Sequence, residues 1–198
     1  HNRKVAQLLL TSDDFSDRKR YINSRNTIST LLYYVIIPVI NENDTVATDE
    51  LKFGDNDYLA ALVASLIEAD RLVILSDVDG LFSDDPGVNP DARLIGQVVE
   101  VTPELEGIAH GTRTRVGTGG MYSKLLAAKK AMNNGITVNI INGRKTGLLL
   151  QLIKGAELGT EFRARESRLS SRKGWIALGS RAKGSIHLDK GAVGALLK

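Results

Sequence analysis

The chain has 198 residues, a formal net charge of +3 and a hydrophobic content of 42%, which suffices for one core and a small second module. No apolar run approaches the ~20 residues that a transmembrane helix needs, so no membrane association is expected. The absence of cysteine excludes disulfides and thiol chemistry and fits a cytoplasmic location. Because the chain begins at His1 without a signal-peptide pattern, we expect that the start of the natural protein is missing.

The charge is distributed unevenly along the chain. Residues 163–198 contain nine Lys or Arg against two acidic residues, so the rest of the chain is net acidic. Such a basic end could bind nucleic acid or an acidic partner. A solvated basic linker explains it more simply, and a nucleic-acid partner is therefore not expected.

Apolar periodicity predicts alternating helices and strands. Four helices are predicted. Two follow from apolar stripes, one at Ile28, Leu31, Leu32 and Val35 and one at Leu59, Leu62, Val63 and Leu66, the second capped by Asp55 or Asn56. The other two are predicted over 121–134 and 147–154. Strands are predicted over 36–40, with Pro38 marking an edge or irregular strand, over 72–75, buried on both faces, and over 136–141. Gly135 is predicted to end its helix in a left-handed conformation. This alternation predicts an α/β fold with a mainly parallel sheet.

The pattern changes after residue 162. Residues 163–173 are charged and serine-rich, as linkers are. Short strands at 175–178 and 185–188 and a helix at 192–197 then indicate the opening of a second domain, because so few residues cannot form an independent core. The predicted division is 1–162, 163–173 and 174–198.

Three polar loops follow strands, where open α/β sheets bind their ligands. Amides and carboxylates at 41–44 and 54–57 suit a ligand's charged groups, a lysine or a metal ion, although turn and capping chemistry uses the same residues. Asp77 and Asp79 follow a buried strand, where a nucleotide or magnesium-bound phosphate could lie, or they form a turn.

The third loop, 116–124, is rich in glycine and enters a helix that carries Lys124. Its backbone can approach an anion closely, and Lys124 can reach a transferring phosphoryl group. It matches neither the Walker A nor the GxGxxG spacing, and a flexible helix entry with a surface lysine is the alternative. The scattered histidines His1, His110 and His187 show no metal-ligand spacing and no pairing with a serine nucleophile.

Four motifs occur together in this order. They are Pro38-Val-Ile-Asn-Glu-Asn-Asp44, Lys52-Phe-Gly-Asp-Asn-Asp57, Leu75-Ser-Asp-Val-Asp-Gly-Leu81 and Gly117-Thr-Gly-Gly-Met-Tyr-Ser-Lys124. From about residue 5 to 162 the chain thereby resembles the amino acid kinase family and, within it, the glutamate kinases. Residues 174–198 resemble the start of a PUA module. The resemblance implies a three-layer αβα sandwich with a mainly parallel sheet, lacking its N-terminal part and followed by a partial, small β-rich PUA-like module.

The resemblance also implies roles for individual residues. Lys124 is the expected catalytic cation, and Asp57 is expected to orient catalytic lysines. The substrate-binding residues it implies are Asp44, Asn56, Asn41 and Asp55. The nucleotide-binding residues it implies are Ser76, Asp77, Thr118, Gly119, Gly120, Met121, Tyr122, Ser123 and Lys124. Tyr122 stands where the family usually has a small residue, and no residue is implied as a metal ligand.

The implied reaction is ATP-dependent phosphorylation of the L-glutamate side-chain carboxylate to glutamyl 5-phosphate, the first step of proline biosynthesis. A general base is unnecessary because this carboxylate is ionised at neutral pH; Mg²⁺ and lysine would neutralise the transferring phosphate. The resemblance further implies proline as feedback inhibitor and a homo-oligomer. The alternatives are a related kinase acting on acetylglutamate or aspartate, RNA binding through the basic PUA-like end, and an inactive structural fragment.

Overall fold

The computed structural model describes residues 3–46, 55–111, 120–164 and 187–196. The strands are β1 (Val5–Leu10), β2 (Ile37–Glu42), β3 (Arg71–Ser76), β4 (Gln97–Val98), β5 (Thr137–Asn142) and β6 (Thr160–Phe162). The helices are α1 (Asp13–Ser16), α2 (Arg18–Tyr33), α3 (Asn56–Leu66), α4 (Pro103–Gly111), α5 (Met121–Asn133), α6 (Leu148–Ile153) and α7 (Lys190–Leu196). The predicted α/β alternation is confirmed, and the molecule is an αβα sandwich with mainly parallel sheets.

The strands form two hydrogen-bonded sheets. β1 and β2 pair in parallel, with Leu10 opposite Glu42. The other sheet has the order β3-β5-β6-β4, in which β3–β5 and β4–β6 are parallel and β5–β6 is antiparallel. Within the described residues β2 pairs only with β1, so the prediction that Pro38 marks an edge strand is confirmed. An edge tolerates proline because no ladder bond needs its missing N–H.

Helix α3 connects two hydrophobic clusters. Ala61 and Ala64 pack into the cluster built mainly on β3, β5 and α5. Leu59, Leu62 and Leu66 pack into a second cluster with residues from β1, α1 and α2. The two clusters use different faces of the helix, as its 3.6-residue period allows. Because both sides of α3 are packed, the position of its N-terminus is fixed relative to β2, β3 and α5.

The prediction that the strand at 72–75 is buried on both faces is wrong. Leu75 is 55% exposed, whereas Ile74 is buried. The reason is position: β3 is an edge of the four-stranded sheet within the described residues, and β5 lies inside it. Accordingly β5 carries the continuous buried run, Val138 to Ile141, that interior parallel strands show.

The predicted apolar stripe on the helix before β2 is also wrong in part. Ile28 is fully buried, but Leu32 is 47% exposed. Helix α2 ends at Tyr33, and Val35 lies beyond it with a φ of 55°. Val35 leaves the stripe because the helix ends before it, at a left-handed residue unusual for a β-branched side chain. Leu32 lies in the last turn of the helix and is exposed there.

Most other predicted elements are confirmed. Asp55 caps α3, α5 and α6 lie where expected, and Gly135 has a φ of 73°. At the C-terminus, α7 corresponds to the predicted helix at 192–197. The predicted strand at 175–178, most of the linker and part of 185–188 lie outside the described residues. No helix in the described part of the chain has the length and apolarity needed to cross a membrane.

Candidate active site

The start of α3 gathers three polar residues predicted to bind substrate or orient a lysine. The Asp55 carboxylate caps the helix by accepting a hydrogen bond from the backbone N–H of Asp57 at 3.0 Å. Its other oxygen, Oδ2, is buried and has no hydrogen-bond partner among the residues that the structure describes. Asn56 is exposed at the first helical position. This helix end thus combines an unsatisfied acceptor with backbone N–H groups near the positive end of the helix dipole.

Lys124 and Asp57 form an ion pair between α5 and α3. The Nζ of Lys124 donates to Oδ2 of Asp57 at 2.8 Å, and the two side chains are 13% and 17% exposed. Lys130 reinforces the packing of the helices one and a half turns further along α5, where its Nζ donates to the Tyr58 hydroxyl at 2.5 Å. The structure therefore brings together the two residues that the sequence assigned to catalysis.

The surroundings of this pair shift the ionisation of Asp57. Burial raises the pKa of the Asp57 carboxyl above its ordinary value, while the hydrogen bond and the charge of Lys124 oppose that rise. The neighbouring carboxylate of Asp55 adds a smaller upward contribution. Burial therefore outweighs the ion pair, and the surroundings of Asp57 disfavour its charged form. Such perturbed groups concentrate at functional sites.

The predicted nucleotide-binding residues at the start of α5 are only partly described, since Thr118 and Gly119 lie outside the described residues. Gly120 is the extended residue that precedes α5, and its carbonyl accepts a bond from the Ser123 hydroxyl at 2.9 Å. Met121 is buried in the larger cluster. Its side chain therefore packs the core, and only its backbone is placed to meet a ligand.

A pair of rings joins the end of α4 to the start of α5. The rings of His110 and Tyr122 lie 3.5 Å apart between centroids, tilted by 31°. Sequence reasoning treated His110 as uninformative and left the role of Tyr122 open. No sequence signal linked them, because the contact exists only once α4 packs beside α5. The ring pair places the end of α4 against the first turn of the helix that carries Lys124.

Ser76 and Asp77 lie at the carboxyl end of β3. Ser76 is buried, and its hydroxyl lies 3.4 Å from Oδ1 of Asp77. Asp77 is exposed. The remaining two predicted substrate residues, Asn41 and Asp44, lie at the carboxyl end of β2 and are both exposed. The predicted residues thus occupy the carboxyl ends of strands and the starts of α3 and α5, where α/β sheets bind ligands.

Helix starts beside a lysine paired with an aspartate are typical of α/β proteins that bind an anionic ligand. The chain belongs to the amino acid kinase family, which matches residues 1–142. That family assignment confirms the resemblance carried by the four sequence motifs.

Curated relatives narrow the similarity. The chain is 52% identical over 194 residues to a glutamate 5-kinase of Caldanaerobacter subterraneus subsp. tengcongensis. It is 48% identical over 193 residues to a glutamate 5-kinase of Burkholderia cenocepacia. Each match covers 98% of this chain and 52% of the relative. The chain therefore spans about half the length of the curated relatives that it matches.

Solved structures show the same fold at low sequence identity. A UMP kinase from Bacillus anthracis superposes with a TM-score of 0.53 at 15% identity, covering 82% of this chain and 59% of that one. An isopentenyl phosphate kinase superposes with a TM-score of 0.56 at 17% identity, covering 81% and 59%. At such identities the similarity concerns the fold alone.

Proposed function

We propose that the protein transfers the γ-phosphoryl group of ATP to the side-chain carboxylate of L-glutamate. The observation that carries the proposal is the ion pair of Lys124 and Asp57 at 2.8 Å. Each of the two residues ends one of the four motifs that resemble the glutamate kinases. The sequence identity of 52% and 48% with two proteins named glutamate 5-kinase supports glutamate as the phosphate acceptor. The product would be glutamyl 5-phosphate, the first intermediate of proline biosynthesis.

The residues at the start of α3 are suited to hold the amino acid. The Asp55 oxygen that is buried and has no hydrogen-bond partner among the described residues provides an acceptor for an ammonium group, and the α3 N-terminus provides donors for a carboxylate. Asn56 is exposed beside them, and Asn41 and Asp44 are the further residues proposed to line this part of the site. Each contributes hydrogen bonds that orient glutamate rather than chemistry.

The transfer step needs alignment and charge neutralisation. A side-chain oxygen of glutamate attacks the γ-phosphorus, the bond from that phosphorus to the β–γ bridging oxygen breaks, and ADP leaves with the electron pair. The ammonium of Lys124 is placed to stabilise the negative charge on the transferring group, while Asp57 positions that ammonium. No proton has to be removed, because the attacking carboxylate is already ionised.

Magnesium fits this site as a partner of the nucleotide. The described residues contain no group of three or more His, Asp or Glu that could hold a metal ion on their own. Mg²⁺ commonly uses one or two carboxylates together with substrate phosphates, and Asp77 at the end of β3 is the exposed carboxylate near the proposed phosphate position. When bound, the ion would neutralise phosphate charge.

The domain division and assembly belong to the same proposal. We propose a kinase domain over 1–162, which the end of β6 at Phe162 supports, then a linker over 163–173 and the start of a PUA-like module over 174–198. Proline inhibition, homo-oligomerisation and a cytoplasmic location are proposed from the similarity to glutamate kinases alone.

Substrate competition tests the proposed acceptor. ADP formation is measured with glutamate, aspartate and acetylglutamate at equal concentrations in the presence of Mg²⁺ and ATP. Glutamate is expected to give the highest kcat/KM. Faster turnover with aspartate or acetylglutamate would leave the kinase assignment standing and change the proposed acceptor. If folded protein turned over none of the three acceptors, the enzyme assignment would be refuted.

A further inference from the structure

The turn that follows β5 lies directly against the end of β3. Ser76 and Asn142 are register partners, and the N–H of Gly143 donates to the Ser76 carbonyl at 2.8 Å. A Cβ atom at position 143 would lie 3.0 Å from the Cβ of Leu75. Glycine therefore permits this close approach, and the next residue, Arg144, is carried to the edge where Ser76 and Asp77 are proposed to bind nucleotide.

Two of the charged residues at this edge satisfy each other. The Nζ of Lys145 lies 2.7 Å from Oδ1 and 2.9 Å from Oδ2 of Asp79. The amide of Asn142 also donates to Oδ1 of Asp79, at 3.0 Å. These contacts hold the pKa of Asp79 below its ordinary value. Lys145 is thus committed to Asp79 and fixes the conformation of the turn.

Arg144 is held much more loosely. Its NH2 lies 3.9 Å from Oδ2 of Asp77, beyond hydrogen-bonding distance, and its side chain is 79% exposed. An ion pair of this length and exposure contributes little stability. The fork of the guanidinium can therefore turn to a stronger anionic partner without loss to the fold.

Phosphates at this edge would lie beside the carboxylates of Asp77 and Asp79. Lys145 pairs with Asp79 at 2.7 Å, whereas Arg144, 3.9 Å from Asp77, still has donors to offer a phosphate. We propose that Arg144 is a further nucleotide-binding residue, whose guanidinium turns from its weak contact with Asp77 to the phosphate chain when ATP binds. Arginine suits this role because its planar donors match phosphate oxygens in pairs. The inference rests on the proposed kinase function.

The test compares nucleotide affinity in wild type, Arg144→Ala and Arg144→Lys by isothermal titration calorimetry with ATP, ADP and adenosine. Arg144→Ala is expected to weaken ATP and ADP about tenfold or more, the size of a charge-assisted hydrogen bond, and to leave adenosine unchanged. Arg144→Lys should recover part of the loss. In steady state, KM for ATP should rise while kcat and KM for glutamate stay within about threefold.

Arg25→Ala is the matched control, because Arg25 is an arginine on α2 whose ion pair with Glu68 measures 2.8 Å. It should bind ATP with wild-type affinity. If wild type binds ATP and Arg144→Ala binds it equally well, the inference is overturned and the proposed function stands. An equal loss for adenosine would overturn the phosphate contact, and failure of wild type to bind ATP would overturn the proposed function itself.

Discussion

Replacement of Asp57 by asparagine separates the functional role of this carboxylate from its contribution to stability. Burial raises the pKa of Asp57 despite its ion pair with Lys124, so the fold disfavours the charged form. Asparagine keeps the size and an acceptor oxygen for Lys124 while removing the charge. We expect Asp57→Asn to retain or slightly increase stability at pH 7, yet to lower kcat, because Lys124 loses its anionic anchor.

The expected change in stability follows from two opposing contributions, the attraction between the charges of Asp57 and Lys124 and the cost of removing them from water. At 2.8 Å and an effective dielectric constant of about 20, the two charges attract by about 6 kcal/mol. Desolvation costs several kcal/mol for each ion, and the raised pKa shows that it prevails for Asp57. Because asparagine still offers Lys124 an acceptor oxygen and no longer carries the disfavoured charge, the free energy of unfolding of Asp57→Asn should lie within about 1 kcal/mol of wild type. In contrast, kcat should fall about 10²-fold or more, as for other charge-stabilising groups.

The pH dependence of the stability difference follows from the same pKa shift of Asp57. The folded protein binds the Asp57 proton more tightly than the unfolded chain does. The resulting stabilisation is complete below the unfolded pKa of about 3.9 and is lost as pH rises through the higher folded pKa. The advantage of Asp57→Asn over wild type should therefore be absent near pH 3.5 and grow as pH rises.

Urea unfolding of both proteins between pH 3.5 and 7 measures this difference. Lys124→Met is the informative companion, because it leaves the buried carboxylate without that cation and should be destabilised at pH 7. A loss of 2 kcal/mol or more at pH 7 in Asp57→Asn would show instead that the ion pair outweighs burial.

Two further predictions concern contacts away from the ion pair. Tyr122→Ser should lose about 1 kcal/mol of stability, the usual contribution of an aromatic pair, because the ring contact to His110 is removed, and its KM for ATP should rise. Tyr122→Phe keeps the ring and should keep wild-type stability and KM. Urea unfolding and steady-state kinetics measure these quantities, and equal effects of the two variants would contradict the prediction. Thr160→Val should lower the free energy of unfolding by about 1–3 kcal/mol, because the buried N–H of Leu81 loses its 2.8 Å hydrogen bond to the Thr160 hydroxyl. Urea unfolding measures this loss, and an unchanged free energy would show that this N–H finds another acceptor.

The sequence predicted the elements with strong local signals. Helix α3 was predicted from its apolar spacing and the cap at Asp55, and α5 from the glycine at 135 that ends it. These signals all lie within or next to the helix that they predict. Helix α4 was missed although it carries a signal: Thr102 precedes Pro103, and its hydroxyl accepts from the N–H of Leu105 at 3.4 Å. Proline at a first helical position after such a cap is a usual helix start.

Other features could not be read from local sequence. Strands β4 and β6 have two and three residues, too few for a periodic signal. The exposure of Leu75 depends on β3 lying at a sheet edge, which only the strand order decides.

The candidate site shows the same division. Loop position singled out Lys124 and the polar segment 54–57, and the family resemblance assigned the role of Asp57. Their contact spans 67 positions in the chain and depends on how α3 packs against α5. The ring pair of His110 and Tyr122 and the position of Arg144 likewise arise from packing between elements.

Glutamate-dependent ADP formation by wild type and Lys124→Ala tests whether Lys124 stabilises the transferring phosphoryl group. Lys154→Ala, which replaces an exposed lysine at the end of α6, is the control. By analogy with other phosphoryl-transfer cations, Lys124→Ala is expected to lower kcat by about 10³-fold, while Lys154→Ala should match wild type. A Lys124→Ala protein that is folded and turns over glutamate within tenfold of wild type would contradict the account.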